Sequence, residues 1–400
     1  MRLFFLTSRL PYPPHRGDRV RTFNFLREFA TRHDVHLVSF IEGEEERAVA
    51  KGLDGLCTYE LISLSKRRSL ANIAVRALSS QPYQALYYRS GRMVDAVQRV
   101  FEGGEFDLAY VHLFRMAPFV ERFLERGGQR TPTTVLDLTD SVASEIELSI
   151  RRRPLPTRPL YAWECRRIRA LERRVLPAFR EGWVISEADR QEVLRTSPGS
   201  RIEVIPNGVD ERLFGLDPAQ DAPKEVVFVG NLSVPHNIDA VGCLVREVMP
   251  LLREIVPGTT LRVVGRDVGH AVRGICSSVD WCRMKGFVPD LTDAYRGATV
   301  FAAPLRFAAG VQNKMLESMA AGIPVVTSPI GNRGLGARDA REIVVADGPE
   351  AFARALAEII ADAGLRSRLS EAGRRFVQGS FSWSAAVDRL DALAEEGRAR

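Results

Sequence analysis

No stretch of this 400-residue sequence is apolar for long enough to span a bilayer, which excludes a membrane-spanning helix. The amino-terminal run MRLFFL stops at Thr7, too short for the hydrophobic region of a secretory signal. The expected location is the cytoplasm, at most on the inner face of the cytoplasmic membrane. Cysteine is sparse: residues 57, 165, 243, 276 and 282 form no CxxC pair and no zinc-ligand spacing. An odd, scattered set fits buried thiols in a reducing compartment. There is no internal repeat and no low-complexity tract, so solenoid and collagen-like architectures are out. Lysine is scarce too. Only five of the 56 basic residues are lysine (Lys51, Lys66, Lys224, Lys285 and Lys314), so a lysine in a glycine-rich loop stands out here.

What is present describes an ordinary globular chain. Hydrophobic residues make up 45% and charged residues 26%, enough to bury a sizeable core, and the length suits two domains better than one. The net charge of +6 favours anionic partners such as phosphate groups or an acidic membrane surface. Ten arginines crowd residues 151–180 against Glu164 and Glu172. That segment reads either as a solvated helix face or as a surface drawn to anionic lipid head groups. Nucleic acid is not expected as a partner, because no aromatic interleaving or reader motif accompanies the charge.

Short, continuous apolar runs alternate with helical patterns along the whole chain. In the first half the expected strands are Leu3–Leu6, Val35–Ile41, Leu108–Val111, Thr134–Leu138, Trp183–Ile185 and Ile202–Ile205. In the second half they are Val226–Val229, Leu261–Val264, Met284–Val288, Val300–Ala303, Val325–Thr327 and Ile343–Val345. Continuous rather than alternating runs mark strands covered on both faces. Between them lie helices such as Arg19–Thr31, with Val20, Phe23, Leu26 and Ala30 expected on the buried face. The fold class is therefore α/β, two Rossmann-like doubly wound domains with a cleft between them. The boundaries expected are 1–205 for the first domain, 206–380 for the second, and 381–400 for a terminal helix crossing back.

Ligands of such sheets bind beyond the carboxyl ends of the strands, so four loops matter. After the first strand, Gly17 permits close backbone approach where a helix opens, and a helix amino terminus attracts anions. Gly230 and Asn231 occupy the corresponding place in the second half. In the third loop Gly310, Val311 and Gln312 precede a helix carrying Lys314 and Glu317. The N–H groups of the three and the Lys314 ammonium suit a diphosphate, and Glu317 suits ribose hydroxyls. A buried helix rarely carries such a Lys–Glu pair without a partner. The fourth signal is His112, ending a strand, with Asp140 as its rival for acid–base work and Asp137 close behind. His112 also reads as structural, and Asp140 as a helix cap.

Three motifs carry a resemblance. PNGVD at 206–210, the stretch GVQNKMLESMAAGIPVV at 310–326, and Phe381-Ser382-Trp383 before the last helix resemble the retaining GT-B glycosyltransferases of family 4. The resemblance runs from Met1 to the last helix, and the second-half motifs are its specific part. It implies that Lys314 binds the diphosphate, Glu317 the ribose, and Gly310 to Gln312 the phosphates through N–H groups. Gly286-Phe287-Val288-Pro289-Asp290 resembles the family loop whose backbone meets the nucleotide base, which makes Val288 a donor-binding residue. Gly17 would approach the donor phosphate, and His112 matches a position that is often functional in the family. Two departures stand out. Ala309 occupies a position where the family usually has a second Glu, eight residues before Glu317. Asn231, His236 and Asn237 stand where relatives have Arg and Lys.

The resemblance implies a retaining transferase that moves a hexose from a nucleotide-diphosphate sugar, bound by the domain 206–380, to a glycan or lipid-linked acceptor on the side of the domain 1–205. Peripheral contact with an anionic membrane fits such an acceptor. No DxD-type motif lies in a suitable loop, so no cofactor and no metal are expected. The alternatives are a GT-B-fold sugar-nucleotide epimerase, and a non-catalytic nucleotide-binding relative, the latter motivated by Ala309.

Overall fold

A computed structural model describes residues 1–14, 17–103, 106–126, 132–150, 153–217, 224–266, 268–307 and 310–398. The chain divides into two compact units, Met1–Ile205 with Trp383–Arg400, and Pro206–Ser382.

The first unit is built on strands β1 (Arg2–Thr7), β2 (Asp34–Ile41), β3 (Thr58–Ser63), β4 (Leu108–His112), β5 (Thr133–Thr139), β6 (Glu181–Val184) and β7 (Ile202–Val204). They form one parallel sheet in the order β3-β2-β1-β4-β5-β6-β7. β1 reads as an unbroken apolar run because both its faces are covered. Phe4 and Leu6 enter one core cluster, Leu3 and Phe5 the other. β3 is absent from the sequence-based expectation for the opposite reason. It is an edge strand whose residues Tyr59, Glu60 and Leu61 are only partly buried, so it shows no continuous apolar run.

The helix Gly17–Ala30 departs from its expected face. Its buried residues are Arg21, Thr22, Phe25, Leu26 and Phe29, while Val20, Phe23 and Ala30 are only partly covered. Rotation toward Arg21 is explained by its guanidinium, which reaches Asp137 inside the core. The carboxy-terminal helix Ser384–Arg398 belongs to this unit. Ala386, Val387, Leu390, Leu393 and Ala394 form a helical stripe buried with Leu3, Phe5 and Phe25. Trp383 meets Phe25 edge-on at 5.6 Å. Phe381, two residues earlier, is instead buried in the core of the second unit beside Phe376.

The arginine-rich segment is largely engaged with its own unit. Arg169 pairs with Glu147 and Glu192, Arg174 with Glu121, and Arg180 with Glu396. Arg173 donates to the Thr196 carbonyl, and Arg167 is buried against the rings of Tyr83 and Trp163 at 4.3 and 4.4 Å. Arg151 and Arg152 lie outside the described residues. The charges of Arg169, Arg174 and Arg180 are thus offset by carboxylates of their own unit.

The second unit has strands β8 (Glu225–Val229), β9 (Thr260–Val264), β10 (Cys282–Gly286), β11 (Val300–Ala303), β12 (Val325–Thr327) and β13 (Val344–Val345). Their order is β10-β9-β8-β11-β12-β13, again parallel throughout. Strand order reverses between β8 and β11, and between β1 and β4 in the first unit. At such reversals the outgoing loops diverge to opposite faces and leave a crevice at the carboxyl edge.

Candidate functional site

In the second unit the reversal point is occupied by Lys314. The loop after β8 leads into the helix Pro235–Cys243, and the loop after β11 into the helix Asn313–Ala320. Lys314 Nζ donates to Asn237 Oδ1 and to Gln312 Oε1, each at 2.8 Å, so the ammonium joins the two loops. Asn237 is held in turn by donating from Nδ2 to the Asn231 carbonyl at 2.9 Å. Gly230 makes this possible, since a Cβ there would sit 3.0 Å from Asn237 Nδ2. Both partners of the ammonium are neutral, and Lys314 is only 8% exposed. Burial pushes its pKa down to about 8, against the opposing field of Glu317. His236 is held neutral by burial and by Lys314, its pKa pushed down to about 4.

Glu317 follows one turn later on the same helix. Its Oε2 accepts from the hydroxyl of Tyr295 at 2.8 Å, and the same hydroxyl reaches the Lys314 carbonyl at 3.1 Å. Burial raises the Glu317 pKa, while the Tyr295 hydrogen bond and the Lys314 charge lower it. One carboxylate oxygen is thus anchored by Tyr295. The helix begins at Asn313, slightly later than expected, and Gln312 at its cap makes no side-chain bond to its first N–H groups. Gly310 has a φ of +64°, a conformation that favours glycine. A Cβ on Gly334 would come within 2.3 Å of the Gly310 carbonyl oxygen, so a second glycine lets this loop lie close.

The remaining donor candidates are placed less directly. Val311 packs partly into the second core, so only its backbone is available to a ligand. Val288 follows β10, two strands from β8, and is partly buried against the same core. Ala309 lies outside the described residues. Asp210 of the PNGVD motif is taken by Arg212 and contributes a repulsive field at Glu317.

In the first unit the candidates gather at the carboxyl ends of β4 and β5. His112 is buried, with Nε2 3.2 Å from Thr139 Oγ1, and Asp140 follows Thr139 directly. Leu113 and Thr139 both have positive φ, 72° and 65°, a costly conformation for such residues and one that concentrates at functional strand ends. Burial and the repulsion of Asp189 and Glu145 push the Asp140 pKa up to about 7. Asp137 is different. It accepts from Arg21 Nε at 2.7 Å and from the Tyr110 hydroxyl, with no solvent exposure. Its pKa is lowered, the Arg21 pair outweighing burial. Asp137 is therefore a positioning group and not an acid–base candidate. Gly17 opens the helix that carries Arg21 in the first unit.

Sequence reasoning missed Tyr295, Asn237 as a side-chain ligand, and the Arg21–Asp137–Tyr110 cluster. Asn237 carried a faint signal, standing close after a strand-ending glycine. Tyr295 and Arg21 carried none, because their partners are 22 and 116 residues away.

Comparison with known proteins agrees with the architecture. A family model described as a glycosyl transferase 4-like domain matches residues 16–208, and one described as glycosyl transferases group 1 matches 223–362. A D-inositol 3-phosphate glycosyltransferase of Salinispora tropica is 29% identical over 258 residues, 54% of this chain and 52% of that protein. A phosphatidyl-myo-inositol mannosyltransferase of Mycolicibacterium smegmatis is 32% identical over 191 residues, 44% of this chain and 49% of that protein. The chain thus spans about half the length of these curated relatives. Among solved structures, Anabaena HepE in complex with UDP and glucose superposes with a TM-score of 0.66 at 15% identity, covering all of both chains. Sucrose-phosphate synthase from Thermosynechococcus elongatus gives 0.66 at 17%, covering 100% of this chain and 99% of that one. At such identities the likeness concerns the fold.

Proposed function

The chain belongs to the GT-B glycosyltransferases of the family-4 type, and from that premise we propose that it transfers a hexose from a nucleotide sugar to a glycan or lipid-linked acceptor with retention of configuration. One observation carries the reading. A buried ammonium, Lys314, is held by two neutral oxygens at the reversal point of a doubly wound sheet, beside an uncapped helix start. Among the described residues no acidic group is bonded to this cation, and a diphosphate would supply one.

In this scheme Lys314 and the N–H groups of Gly310 to Gln312 bind the leaving diphosphate and stabilise its charge as the glycosidic bond breaks. They act in place of a divalent ion. Glu317, steadied by Tyr295, receives the ribose hydroxyls, and the backbone near Val288 meets the base. Gly17 approaches the donor phosphate, and His112 and Asp140 serve the acceptor side, where a neutral imidazole or a carboxylate accepts the hydroxyl proton. The UDP and glucose bound to the Anabaena neighbour support a nucleotide-sugar donor. A location on the cytoplasmic side, where nucleotide sugars are made, suits the scheme, and among the described residues no helix is long and apolar enough to cross a membrane.

The test is a thermal-shift panel of UDP, GDP, ADP and their sugars, followed by product analysis. A ligand at 100 times its dissociation constant adds about 2.7 kcal/mol of stability. No shift with any nucleoside diphosphate would refute the proposal. Isomerisation of the donor would favour the epimerase, and binding without turnover the non-catalytic relative.

A further inference from the structure

Beyond the end of β3, the first unit holds a cavity of about 230 Å³ whose charges are all of one sign. Among the described residues, Arg68, Arg89 and Arg92 line it together with Ser65, Ser69 and Ser90, and no acidic residue does. Elsewhere in this unit arginines find carboxylates, as Arg99 does with Glu60 and Arg174 with Glu121. Among the described residues these three guanidinium groups make no ion pair and no side-chain hydrogen bond. All three are exposed, so water screens their mutual repulsion, and an anion that enters the cavity meets three guanidinium groups at once.

A second observation points the same way. Ser69 is 2% exposed and lines the cavity, yet its hydroxyl has no hydrogen-bond partner among the described residues. The Ser69 oxygen is not among the sealed, unpaired polar atoms, so it opens to the cavity, where a ligand oxygen can meet it. The cavity also lies at the start of the helices Lys66–Val75 and Gly91–Gly103, whose first turns add a positive field.

We propose that this cavity is a phosphate-binding site of the first unit, separate from the nucleotide-binding elements around Lys314. Guanidinium forks match the geometry of phosphate oxygens, and a cluster of three favours a dianionic phosphate monoester over a carboxylate. The phosphate can come from a soluble ester or from a lipid head group. Leu70, Val75 and Leu78, on the same helix and the turn after it, are 62, 84 and 90% exposed, which favours a phosphate presented at a membrane. The proposal does not depend on glycosyl transfer, since binding is measured without turnover.

The experiment titrates the full chain carrying Lys314→Ala, which removes the other phosphate ligand, with inorganic phosphate by calorimetry. Saturable binding is expected, weakened by about tenfold or more when Arg68→Gln and Arg92→Gln are added. Ser69→Ala should weaken it further without altering the melting temperature, which separates ligand loss from misfolding. Vesicles of phosphatidylcholine with phosphatidic acid form the second arm. If the source is lipid, these vesicles bind, inorganic phosphate competes, and Leu70→Ser with Leu78→Ser lowers vesicle binding alone. If the vesicles bind no better than phosphatidylcholine while inorganic phosphate still binds, the source is soluble. Absence of saturable phosphate binding, or binding indifferent to the arginine substitutions, overturns the site.

Discussion

Lys314 and Asn237 meet across the reversal point of the second sheet, ammonium to amide oxygen, at 2.8 Å. A charge this buried, with only neutral oxygens as direct partners, is held at the expense of stability. It is a cation set in place before its anion arrives, and three tests of that idea follow from its environment and its neighbours.

Replacing Lys314 with Met keeps the volume and removes the buried charge. The ligand-free chain is expected to gain about 1–3 kcal/mol, as for other buried charges replaced by apolar groups. Binding of a nucleoside diphosphate should fall far more than binding of the nucleoside. Chemical denaturation and calorimetry on the same variant read both effects. Equal losses for diphosphate and nucleoside would show that Lys314 does not touch the phosphates.

The depressed pKa gives the same residue a pH signature. Lys314 titrates at about 8 in the folded chain and about 10.4 when unfolded, so the folded state binds fewer protons between those values. Its unfavourable contribution is complete below about 8 and is relieved as pH rises toward 10. Ligand-free stability should therefore rise across that window relative to Lys314→Met, while diphosphate affinity falls as the ammonium deprotonates. A flat difference between the two chains would mean that Lys314 is solvated.

Tyr295→Phe removes one hydroxyl and should free Glu317 to change rotamer. A hydrogen bond to a charged group is worth about 1.5–3 kcal/mol, and part of that appears as lost stability. If Glu317 reads the ribose, the variant should also lose its preference for ribo- over deoxyribonucleotides. Glu317→Gln should lose that preference in the same way. Unchanged preference in both variants would remove the ribose role.

These residues also show what a sequence can and cannot disclose. β1 and the Lys314 helix were legible because their signals are local. One is an apolar run covered on both faces, the other a lysine beside glycine in a chain nearly devoid of lysine. β3 was not, since an edge strand buries too little to force an apolar run. Arg21 was hidden for a subtler reason. An arginine near the start of an amphipathic helix is normally a surface residue, and only the fold brings Asp137 to it. Asp137 and Asp140 look alike in sequence, three residues apart, yet one faces a guanidinium in the core and the other faces carboxylates.

The Arg21–Asp137 pair predicts a distinct kind of failure. Asp137→Ala leaves a fully buried guanidinium without its counter-charge and should cost about 3–5 kcal/mol. Because the folded pKa of Asp137 is depressed, its contribution is present above the unfolded value of about 3.9 and is lost as pH falls through the folded one. Acid unfolding should accordingly shift in Tyr110→Phe, which keeps the pair and removes one of its hydrogen bonds. Urea titrations at pH 7 and in mild acid measure both expectations.

Asp140 has the opposite sign, and this separates a catalytic role from a merely structural one. Its carboxyl is pushed up to about 7, so the folded chain binds more protons than the unfolded one between about 3.9 and that value. Its stabilising contribution is complete below about 3.9 and is lost as pH rises through about 7. If Asp140 is the base that receives the acceptor proton, turnover must rise with pH through that same range, as the carboxylate forms. Asp140→Asn should abolish this limb and lower turnover by ~100- to 10,000-fold, with donor affinity unchanged. His112→Ala should lower turnover while keeping the limb, since the imidazole contacts Thr139 and the titrating group would still be present. The two variants, assayed for rate against pH and for donor binding, therefore give different curves. A limb near pH 7 that survives Asp140→Asn but vanishes in His112→Ala would transfer the role of base to the histidine. Full turnover in Asp140→Asn would leave its raised pKa as a consequence of packing against Asp189 and Glu145 alone.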